Sequence, residues 1–398
     1  MNNLHLCVIT GQPLANLIPL LQEKPEHVIL LHTADKYDDA RAFMQTLQVA
    51  GFSPDQLECP GKALPAHSFE AILEYMLELR QALADRFPGT RLTWNATGGT
   101  KQMALAIWEA LDRKTDRVIY SNTRDGHLEE LIPQAGSIAL ESLLTPELYL
   151  QALGKIKRHA ESDRDSWRES ATVRRSATLH LGDHVEALAT LIQQFNRSKL
   201  DANQTDPQWL TLERVGRNWQ KALDLLEKGR VLDPMGNGRY AVVSADGGHY
   251  LTGGWLEEYI WHTAQAQQVD YIESGLKFGD LAHRKKGEDN EIDTFIVHCN
   301  RLLLIECKSG WMGQDTGKDS NIIYKLDSIG SHAGGTQATR LLVSAQPLQH
   351  ETRQGRKVDT RARASATDIH TLEAGELKTL GKRIAQWKES GQWGKAKN

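Results

Sequence analysis

The residues best placed to do chemistry lie in the stretch from Asn290 to Lys308. Asp293 falls in one apolar, β-branched run, and Glu306-Cys307-Lys308 closes the next. Two such runs joined by a short polar turn predict a β-hairpin, with Asn300-Arg301 as the turn. A buried hairpin carries acids only where those acids have partners. Two carboxylates and a lysine on paired strands can hold a divalent metal, so the stretch predicts a hydrolytic metal site.

The same residues have a purely structural alternative. Glu306 and Lys308 share one face of their strand because side chains alternate with a period of two. Asp293 would then lie across from them in a cross-strand ion pair. Buried ion pairs need compensation to persist, so the metal site is the favoured interpretation.

A third carboxylate lies upstream, where residues 253–261 predict the start of a helix. Trp255 and Tyr259 fit the buried face of that helix. Glu257 and Glu258 are adjacent, so their side chains point about 100° apart and cannot line one pocket equally. The geometry leaves open which of the two belongs to the site.

A second candidate site follows the fourth predicted strand, Leu92 to Asn95. Two glycines there let backbone N–H groups approach a ligand, and the helix that begins next favours an anion at its N-terminus. A lysine in that first turn opposes the helix macrodipole, which indicates a bound anion. A threonine-capped glycine turn with a solvated lysine is the alternative. The residues concerned are Thr97, Gly98, Gly99, Thr100 and Lys101.

The loop after the first predicted strand is a weaker candidate for the same ligand. Its polar and small residues are Thr10, Gly11, Gln12 and Asn16. Taken alone, these residues are better explained by an ordinary strand-to-helix turn. Neither loop has the spacing of a P-loop or of Gly-x-Gly-x-x-Gly.

These loops belong to a segment, residues 1 to about 145, in which strands alternate with helices. The predicted strands are 4–9, 27–31, 56–59, 92–95 and 117–120. Such alternation implies a mostly parallel, Rossmann-like α/β sheet with helices on both faces. Ligands bind such sheets beyond the carboxyl ends of the strands, which is where both loops fall.

Residues 146–250 predict a helical connector with a small β element. Helical spacing covers 184–195 and 209–226, and 240–243 predicts a short strand. The basic residues at 155–159 and 174–175 alternate with acids, which predicts a solvated helix surface. A winged-helix unit, suited to DNA binding or dimerisation, is compatible with this pattern.

Bulk composition limits the class of protein. The 398 residues are 40% hydrophobic and 25% charged, as in a globular protein of two or three domains. A net charge of -4 argues against a general basic coat for nucleic acid but allows a local channel. Neither a signal peptide nor an apolar span is present, and the four cysteines lack metal-type spacing. We therefore expect a cytoplasmic protein without membrane contact.

The densest basic segment lies near the C-terminus and comprises Arg353, Arg356, Lys357, Arg361 and Arg363. Phosphate contact beside the metal site and a solvated loop are equally good interpretations. Gly334-Gly335 could approach a substrate backbone.

Gly253-Gly254-Trp255-Leu256-Glu257, the Asn290–Asp293 run and Glu306-Cys307-Lys308 together resemble the PD-(D/E)xK nuclease superfamily, although Ile292 stands where that motif has proline. The resemblance implies that Asp293 and Glu306 ligate a divalent metal, to which the Cys307 carbonyl could contribute. It makes Lys308 the residue that orients a water and stabilises transition-state charge, with Glu257 supporting that water. Oxygen ligands favour magnesium or manganese.

The two halves together resemble CRISPR-associated ancillary nucleases, which join an N-terminal CARF sensor to a C-terminal restriction-endonuclease-like α/β/α domain. The resemblance implies a CARF-like domain at 1–145, a connector at 146–250 and a nuclease domain at 251–398. It further implies a homodimer that binds a cyclic oligoadenylate, with cyclic tetra-adenylate expected, through the two loops at 10–16 and 97–101. The substrate would be DNA, RNA or both, in type III CRISPR antiviral defence.

Two other functions remain open at this point. One is a restriction- or repair-type DNA endonuclease that needs no cyclic ligand. The other is a non-enzymatic, ligand-gated transcription regulator that uses the connector as a winged helix. The intact Asp293, Glu306 and Lys308 set argues against the regulator, which needs none of them.

Overall fold

A computed structural model gives the fold. It describes every residue except 1–2, 124, 199, 201–207, 213–215, 217, 282–288, 313–315, 334–337, 352–354, 356 and 395–398, and for 316–321 and 331–333 it describes the backbone alone. The predictions made for Gly334, Gly335, Arg353 and Arg356 lie outside the described residues.

The chain divides into two compact units, which we describe separately. Unit 1 comprises residues 1–156, 280–284 and 299–301, and unit 2 comprises residues 157–279, 285–298 and 302–398. The division into domains at 1–145, 146–250 and 251–398 stays a prediction.

Unit 1 is built on seven strands and five helices. Its strands are β1 Asn3–Val8, β2 His27–Leu31, β3 Leu57–Glu58, β4 Arg91–Asn95, β5 Arg117–Asn122, β6 His127–Ile132 and β7 Gly136–Ala139. Its helices are α1 Leu14–Glu23, α2 Tyr37–Val49, α3 Phe69–Arg86, α4 Lys101–Ala110 and α5 Pro146–Ala152.

The unit 1 sheet has the strand order β3-β2-β1-β4-β5-β6-β7. The first five strands pair in parallel, and β6 and β7 add antiparallel at one edge. The strand order reverses between β1 and β4, which is where open α/β sheets form a ligand crevice. Both predicted ligand loops follow these two strands. The edge strands β6 and β7 were not predicted, because their acidic and exposed residues lack an apolar run.

The central strands of this sheet are buried on both faces, which explains their nearly continuous apolar sequence. Leu6, Ile29, Trp94 and Val118 are each no more than 1% exposed. They belong to one core with the inward faces of α3 and α4. The predicted α/β class is therefore confirmed for this part of the chain.

Unit 2 combines a mixed sheet with helices and a small second sheet. Its strands are β8 Lys155–His159, which begins at the end of unit 1, β9 Gln208–Thr211, β10 Leu232–Gly236, β11 Arg239–Val242, β12 Tyr271–Asp280, β13 Asn290–His298, β14 Arg301–Lys308, β15 Ala338–Ser344, β16 Gln349–Glu351, β17 Lys357–Asp359 and β18 His370–Glu373. Its helices are α6 Asp165–Asp183, α7 Ala189–Arg197, α8 Gln220–Lys228, α9 Ala245–His249, α10 Trp255–Ala266, α11 Thr316–Ala333, α12 Thr360–Ala366 and α13 Leu380–Ser390.

The main sheet of unit 2 has the order β18-β15-β14-β13-β12-β8. β14, β15 and β18 run parallel, whereas β12 and β13 are antiparallel. β14 thus lies inside the sheet, and its residues from Leu302 to Cys307 are buried. The helix α10 packs on the same core through Trp255, Leu256 and Ile260.

The hairpin of β13 and β14 turns one residue earlier than predicted. Its two-residue turn is Cys299-Asn300, with φ of 48° and 61°, and Arg301 already begins β14. Two consecutive residues with positive φ match a type I′ turn, whose twist suits paired strands. The prediction of a hairpin is correct, and the position of its turn at Asn300-Arg301 is wrong.

The connector also departs from its predicted helices. Trp209 lies in β9 and not in a helix, so the predicted helix at 209–226 is confirmed only from Gln220. The strands β9, β10 and β11 form a three-stranded antiparallel sheet in the order β10-β11-β9. The predicted small β element is thereby confirmed.

Most of the basic residues of the connector do not lie on a solvated helix surface, although Arg175 is exposed on α6 as predicted. Residues 155–159 are strand β8, where Lys157 Nζ lies 2.8 Å from Glu273 Oε1 and 3.0 Å from Asp163 Oδ1. Arg174 lies on a helix but is only 5% exposed. The prediction failed because Glu273 and the partners of Arg174 are distant in sequence. Within the described part of the chain, no helix combines the length and apolarity needed to cross a bilayer.

Candidate functional site

The strand β14 presents Glu306 and Lys308 on one face, as their spacing of two predicts. The Glu306 side chain is buried, and Lys308 is half-buried at the end of the strand. Lys308 pairs with Ser344 of the neighbouring β15 in the backbone register. A strand held on both sides fixes both side chains, because its backbone cannot shift without breaking two ladders.

Asp293 joins this face from the neighbouring β13. Its Oδ2 accepts a hydrogen bond of 2.6 Å from the backbone N–H of Cys307, the residue between Glu306 and Lys308. Burial raises the pKa of the Cys307 thiol well above its ordinary value, so the thiol stays neutral. Any contribution of Cys307 to a cation would therefore come from its carbonyl, as the resemblance implies.

Glu257 approaches from the first turn of α10. The chain kinks at Gly253, which has a φ of 168°, just before this helix. The side chain of Glu257 is half-buried, and the charges of Asp293, Glu291 and Glu306 all act on it.

Glu258 points elsewhere and anchors the helix. Arg174 Nε donates to both carboxylate oxygens of Glu258, at 2.7 and 2.9 Å, and Arg174 Nη1 lies 2.5 Å from Asp246 Oδ2. Glu258 is 2% exposed. The two adjacent glutamates therefore point to different surroundings, as the angle of about 100° between adjacent side chains on a helix predicts. Glu258 fixes α10 against α6, and Glu257 is left for the site.

The three carboxylates of the site oppose one another's ionisation. Burial and the charge of Asp293 raise the pKa of Glu306 to about 7, against a smaller lowering by Lys325. Burial also raises the pKa of Asp293, although the Cys307 N–H and two lysines lower it. For Glu257, burial and then the neighbouring acids raise the pKa well above its ordinary range. Carboxylates whose pKa values are raised in this way are frequent at functional sites.

The donor set fits a hard divalent cation. All three side chains offer carboxylate oxygens, which magnesium and manganese prefer. A cation would relieve the repulsion that raises the three pKa values. Among the described residues, the ligand atoms of Glu257, Asp293 and Glu306 do not all lie within 4.8 Å of one another. A cation held by Asp293 and Glu306 would therefore complete its coordination with water, as magnesium commonly does.

The structural alternative predicted an ion pair of Lys308 with Glu306 or Asp293. Lys308 makes no ion pair within 4.0 Å of any other described residue. Its charge still lowers the pKa of Asp293 and Glu306, so it lies in their field. The Lys308 ammonium is thus near the carboxylates of Asp293 and Glu306 but forms no ion pair with either.

One residue of the site was not predicted. Lys325, on α11, places its Nζ 3.1 Å from both Oε1 and Oε2 of Glu306. The helix α11 begins at Thr316, and this contact places it beside β14. Buried Ile323 and Leu326 flank Lys325 in sequence, and that pattern could have identified the inward face of the helix.

In unit 1, the loops after β1 and β4 lie against each other. A Cβ added to Gly98 would be 2.8 Å from the Val8 carbonyl oxygen and 3.2 Å from Thr10 Cγ2. Gly99 has a φ of +98°, which side chains rarely tolerate. Glycine is therefore required at position 98 by the close approach of the two loops, and at position 99 by the left-handed backbone conformation.

Buried amides hold these loops in place. Asn16 Nδ2 donates to the Val8 carbonyl at 2.9 Å, and Asn95 Nδ2 donates to Asn16 Oδ1 at 3.0 Å. Thr97 Oγ1 donates to Asn95 Oδ1 at 2.6 Å and accepts from the Ser121 N–H at 2.7 Å. Asn16 is 1% exposed, so it supports the loop instead of facing a ligand.

The other predicted ligand residues border the crevice at the strand ends. Thr10 is half-buried and accepts from the Gln12 N–H at 3.1 Å. Thr100 caps α4 by accepting from the Met103 N–H at 3.2 Å, as the structural alternative for this loop predicted. The exposed members are Gly11, Gln12, Gly99, Thr100 and Lys101. A capped helix terminus with exposed glycines and a lysine is suited to an anionic ligand.

Residues 246–390 match the family model of the Card1-like endonuclease domain. The matched span contains Glu257, Asp293, Glu306 and Lys308, the cluster described above. This part of the chain is therefore similar to an endonuclease domain. The comparison with curated proteins found no match.

Solved structures are similar to the whole chain. Protein VC1899 from Vibrio cholerae aligns with a TM-score of 0.81 and 19% identity over 98% of this chain and 99% of that one. Can2 from Sulfobacillus thermosulfidooxidans, solved in complex with cyclic tetra-adenylate, aligns with a TM-score of 0.71 and 21% identity over 97% and 99%.

A type III CRISPR defence DNA nuclease activated by cyclic oligoadenylate aligns less completely. Its TM-score is 0.53 at 15% identity, over 86% of this chain and 45% of that one. At these identities the likeness shows the fold. The fold class and the resemblance to CARF nucleases that the sequence predicted are confirmed.

Only some residues of the basic segment are available to contact phosphate. Arg361 is engaged with acids, since its Nη2 lies 2.7 Å from Glu373 Oε1 and 3.4 Å from Glu376 Oε2. Lys357 and Arg363 are exposed. Phosphate contact by Lys357 and Arg363 stays a prediction.

Proposed function

We propose that this protein is a metal-dependent endonuclease of the PD-(D/E)xK type, which a cyclic oligoadenylate activates in type III CRISPR antiviral defence. The observation that carries the proposal is the convergence of Glu257, Asp293 and Glu306 beside an uncommitted Lys308. The match to the Card1-like endonuclease domain supports the same chemistry. The substrate is DNA, RNA or both.

In this proposal Asp293 and Glu306 hold a magnesium or manganese ion, with the Cys307 carbonyl as a further donor. When bound, the cation supplies charge neutralisation and Lewis acidity at the scissile phosphate. Lys308 donates to the attacking water and to the phosphate oxygen on which charge develops. Glu257 accepts a hydrogen bond from water on the opposite side. The hydrogen bond from Cys307 N–H keeps Asp293 in place throughout.

The activating ligand binds at the crevice between β1 and β4. Its phosphates meet the exposed N–H groups and side chains of Gly11, Gln12, Gly99, Thr100 and Lys101, while Thr10, Asn16 and Thr97 keep the loops in shape. The fold shared with Can2, whose structure holds cyclic tetra-adenylate, supports this ligand. A ring with two-fold symmetry suits a homodimer in which each copy offers the same patch. Ligand binding then favours the active conformation by population shift.

Cleavage assays test this proposal directly. We expect the purified protein to cut supercoiled plasmid, single-stranded DNA or RNA only when both manganese and cyclic tetra-adenylate are present. Chelation by EDTA should stop the reaction. Equal cleavage without the ring would support the ligand-independent endonuclease. Failure to cut any substrate, together with tight sequence-specific duplex binding, would support the transcription regulator.

The stoichiometry of ligand binding tests the homodimer separately. We expect light scattering to give twice the chain mass and calorimetry to give one ring for two chains. One ring per chain would contradict a site shared by two copies, while leaving the nuclease chemistry untouched.

A further inference from the structure

The Lys325 ammonium sits symmetrically on the Glu306 carboxylate. Its Nζ is 3.1 Å from each carboxylate oxygen, while the side chain of Glu306 is 4% exposed and that of Lys325 is 34% exposed. A group equidistant from both oxygens occupies the bidentate position, in which carboxylates also hold divalent cations. One carboxylate cannot accommodate both in that position at full strength.

This ion pair is the principal local compensation for a buried charge. Glu306 is flanked by Asp293 and Glu257, so its carboxylate adds to negative charge already present. Of the two lysines in the field, only Lys325 makes an ion pair within 4.0 Å of a described residue. Removing a partner from a buried pair leaves an uncompensated charge, which is costly.

We infer that Lys325 is a positioning residue that competes with the divalent cation for Glu306, and thereby sets the cation concentration at which the site fills. The inference rests on the proposed function, because it takes Glu306 as a metal ligand. The half-exposed lysine stem lets the ammonium swing to water when the cation arrives. The free protein therefore keeps Glu306 ordered and charged, at a cost in cation affinity.

The size of the effect follows from the population of the ion pair. If the ammonium covers Glu306 about nine-tenths of the time, the apparent dissociation constant for the cation is raised about tenfold. Replacing Lys325 with methionine, which is uncharged and of similar length, removes the competitor. Replacing it with arginine should strengthen the competition, since the guanidinium donates to both oxygens in a planar fork.

The test is a manganese titration by isothermal calorimetry, in alkaline buffer and without substrate or ring. We expect Lys325→Met to bind manganese about tenfold more tightly than the wild type and Lys325→Arg to bind several-fold more weakly. Lys382→Met, which removes an exposed lysine on α13, is the charge-matched control and should bind like the wild type.

Melting temperature supplies a second readout. In EDTA, Lys325→Met should melt below the wild type, and saturating manganese should remove most of that difference. A merely structural lysine would lower the melting temperature in both conditions and leave manganese affinity unchanged.

The outcomes separate this inference from the function on which it rests. Equal manganese affinity of the wild type and both Lys325 variants, with the wild-type signal abolished by Glu306→Gln, would overturn the inference alone. A wild type that shows no Glu306-dependent manganese binding would overturn the proposed metal site and the inference together. Should Lys325→Met fail to fold, Lys325→Arg decides the question, because weaker binding supports competition and unchanged binding contradicts it.

Discussion

The two candidate sites of this protein are built from opposite materials. In unit 2 the site consists of buried and half-buried carboxylates, and burial together with the charge of Asp293 raises the pKa of Glu306 to about 7. In unit 1 the exposed Lys101 stands beside loops of neutral amides, hydroxyls and glycines, which are held by hydrogen bonds such as that from Asn95 to Asn16. Buried carboxylates that repel one another favour the binding of a cation. Loops that are held by hydrogen bonds between neutral groups keep their conformation until an anion binds.

This difference explains why the two sites respond to different mutations. The carboxylate cluster depends on side-chain charge, so a neutral isostere removes its function while preserving its shape. The ligand loops depend on backbone approach, so a methyl group added at Gly98 should weaken ring binding even though no side chain is lost. Substitutions at either site can test this difference.

The largest effect is expected at the charged site. Glu306→Gln keeps the volume of the side chain and removes a proposed metal ligand, so we expect cleavage to fall by roughly a thousandfold or more. Calorimetric affinity for cyclic tetra-adenylate should remain that of the wild type. Lys101→Ala should give the reverse, with weakened ring binding and little cleavage at ring concentrations that saturate the wild type. Loss of ring binding in both variants would contradict two separate sites.

A moderate effect is expected at the neutral site. Gly98→Ala places a methyl group 2.8 Å from the Val8 carbonyl oxygen, so one of the two loops must shift. Overpacking of this kind typically costs about 1–3 kcal/mol, which corresponds to a loss of roughly tenfold or more in ring affinity. Saturating ring should restore cleavage.

The matched control for this variant is Gly61→Ala, since no atom lies within 4 Å of a Cβ built at that exposed glycine. Its ring affinity should stay within about twofold of the wild type. Equal ring affinity of both alanine variants would show that the close approach of the two loops does not shape the binding site.

The smallest effect concerns stability in the absence of metal. The pKa of Glu306 in the folded protein is about 7, above its ordinary value of 4.5. Its protonated form therefore stabilises the fold below the ordinary pKa, and that stability is lost as pH rises through about 7. The loss is at most roughly 3 kcal/mol, since one unit of pKa corresponds to about 1.4 kcal/mol.

Glu306→Gln should accordingly melt several degrees above the wild type in EDTA at alkaline pH, with the difference shrinking toward acidic pH. Thermal scans across this pH range provide the measurement. Glu389→Gln, at an exposed position on α13, should track the wild type at every pH. A Glu306→Gln difference that does not vary with pH would mean that the carboxylate is not strained by its neighbours.

Local patterns in the sequence predicted several features of the fold and of the charged site, although the sequence identity to solved structures is low. Period-two alternation placed Glu306 and Lys308 on one strand face, and the angle between adjacent helical residues separated Glu257 from Glu258. Alternating strands and helices gave the parallel sheet, and the glycine turn gave the capped start of α4. Each of these depends on residues within one element and its immediate neighbours.

Only the tertiary structure decided which distant residues meet. It paired Lys325 with Glu306, buried Arg174 on Glu258, and turned residues 155–159 into a strand bonded to distant acids. It also moved the hairpin turn to Cys299-Asn300, where two left-handed residues match the twist of the strands. Charge and periodicity fix what a residue offers along its own element, whereas the partner that makes its burial tolerable comes from elsewhere in the chain.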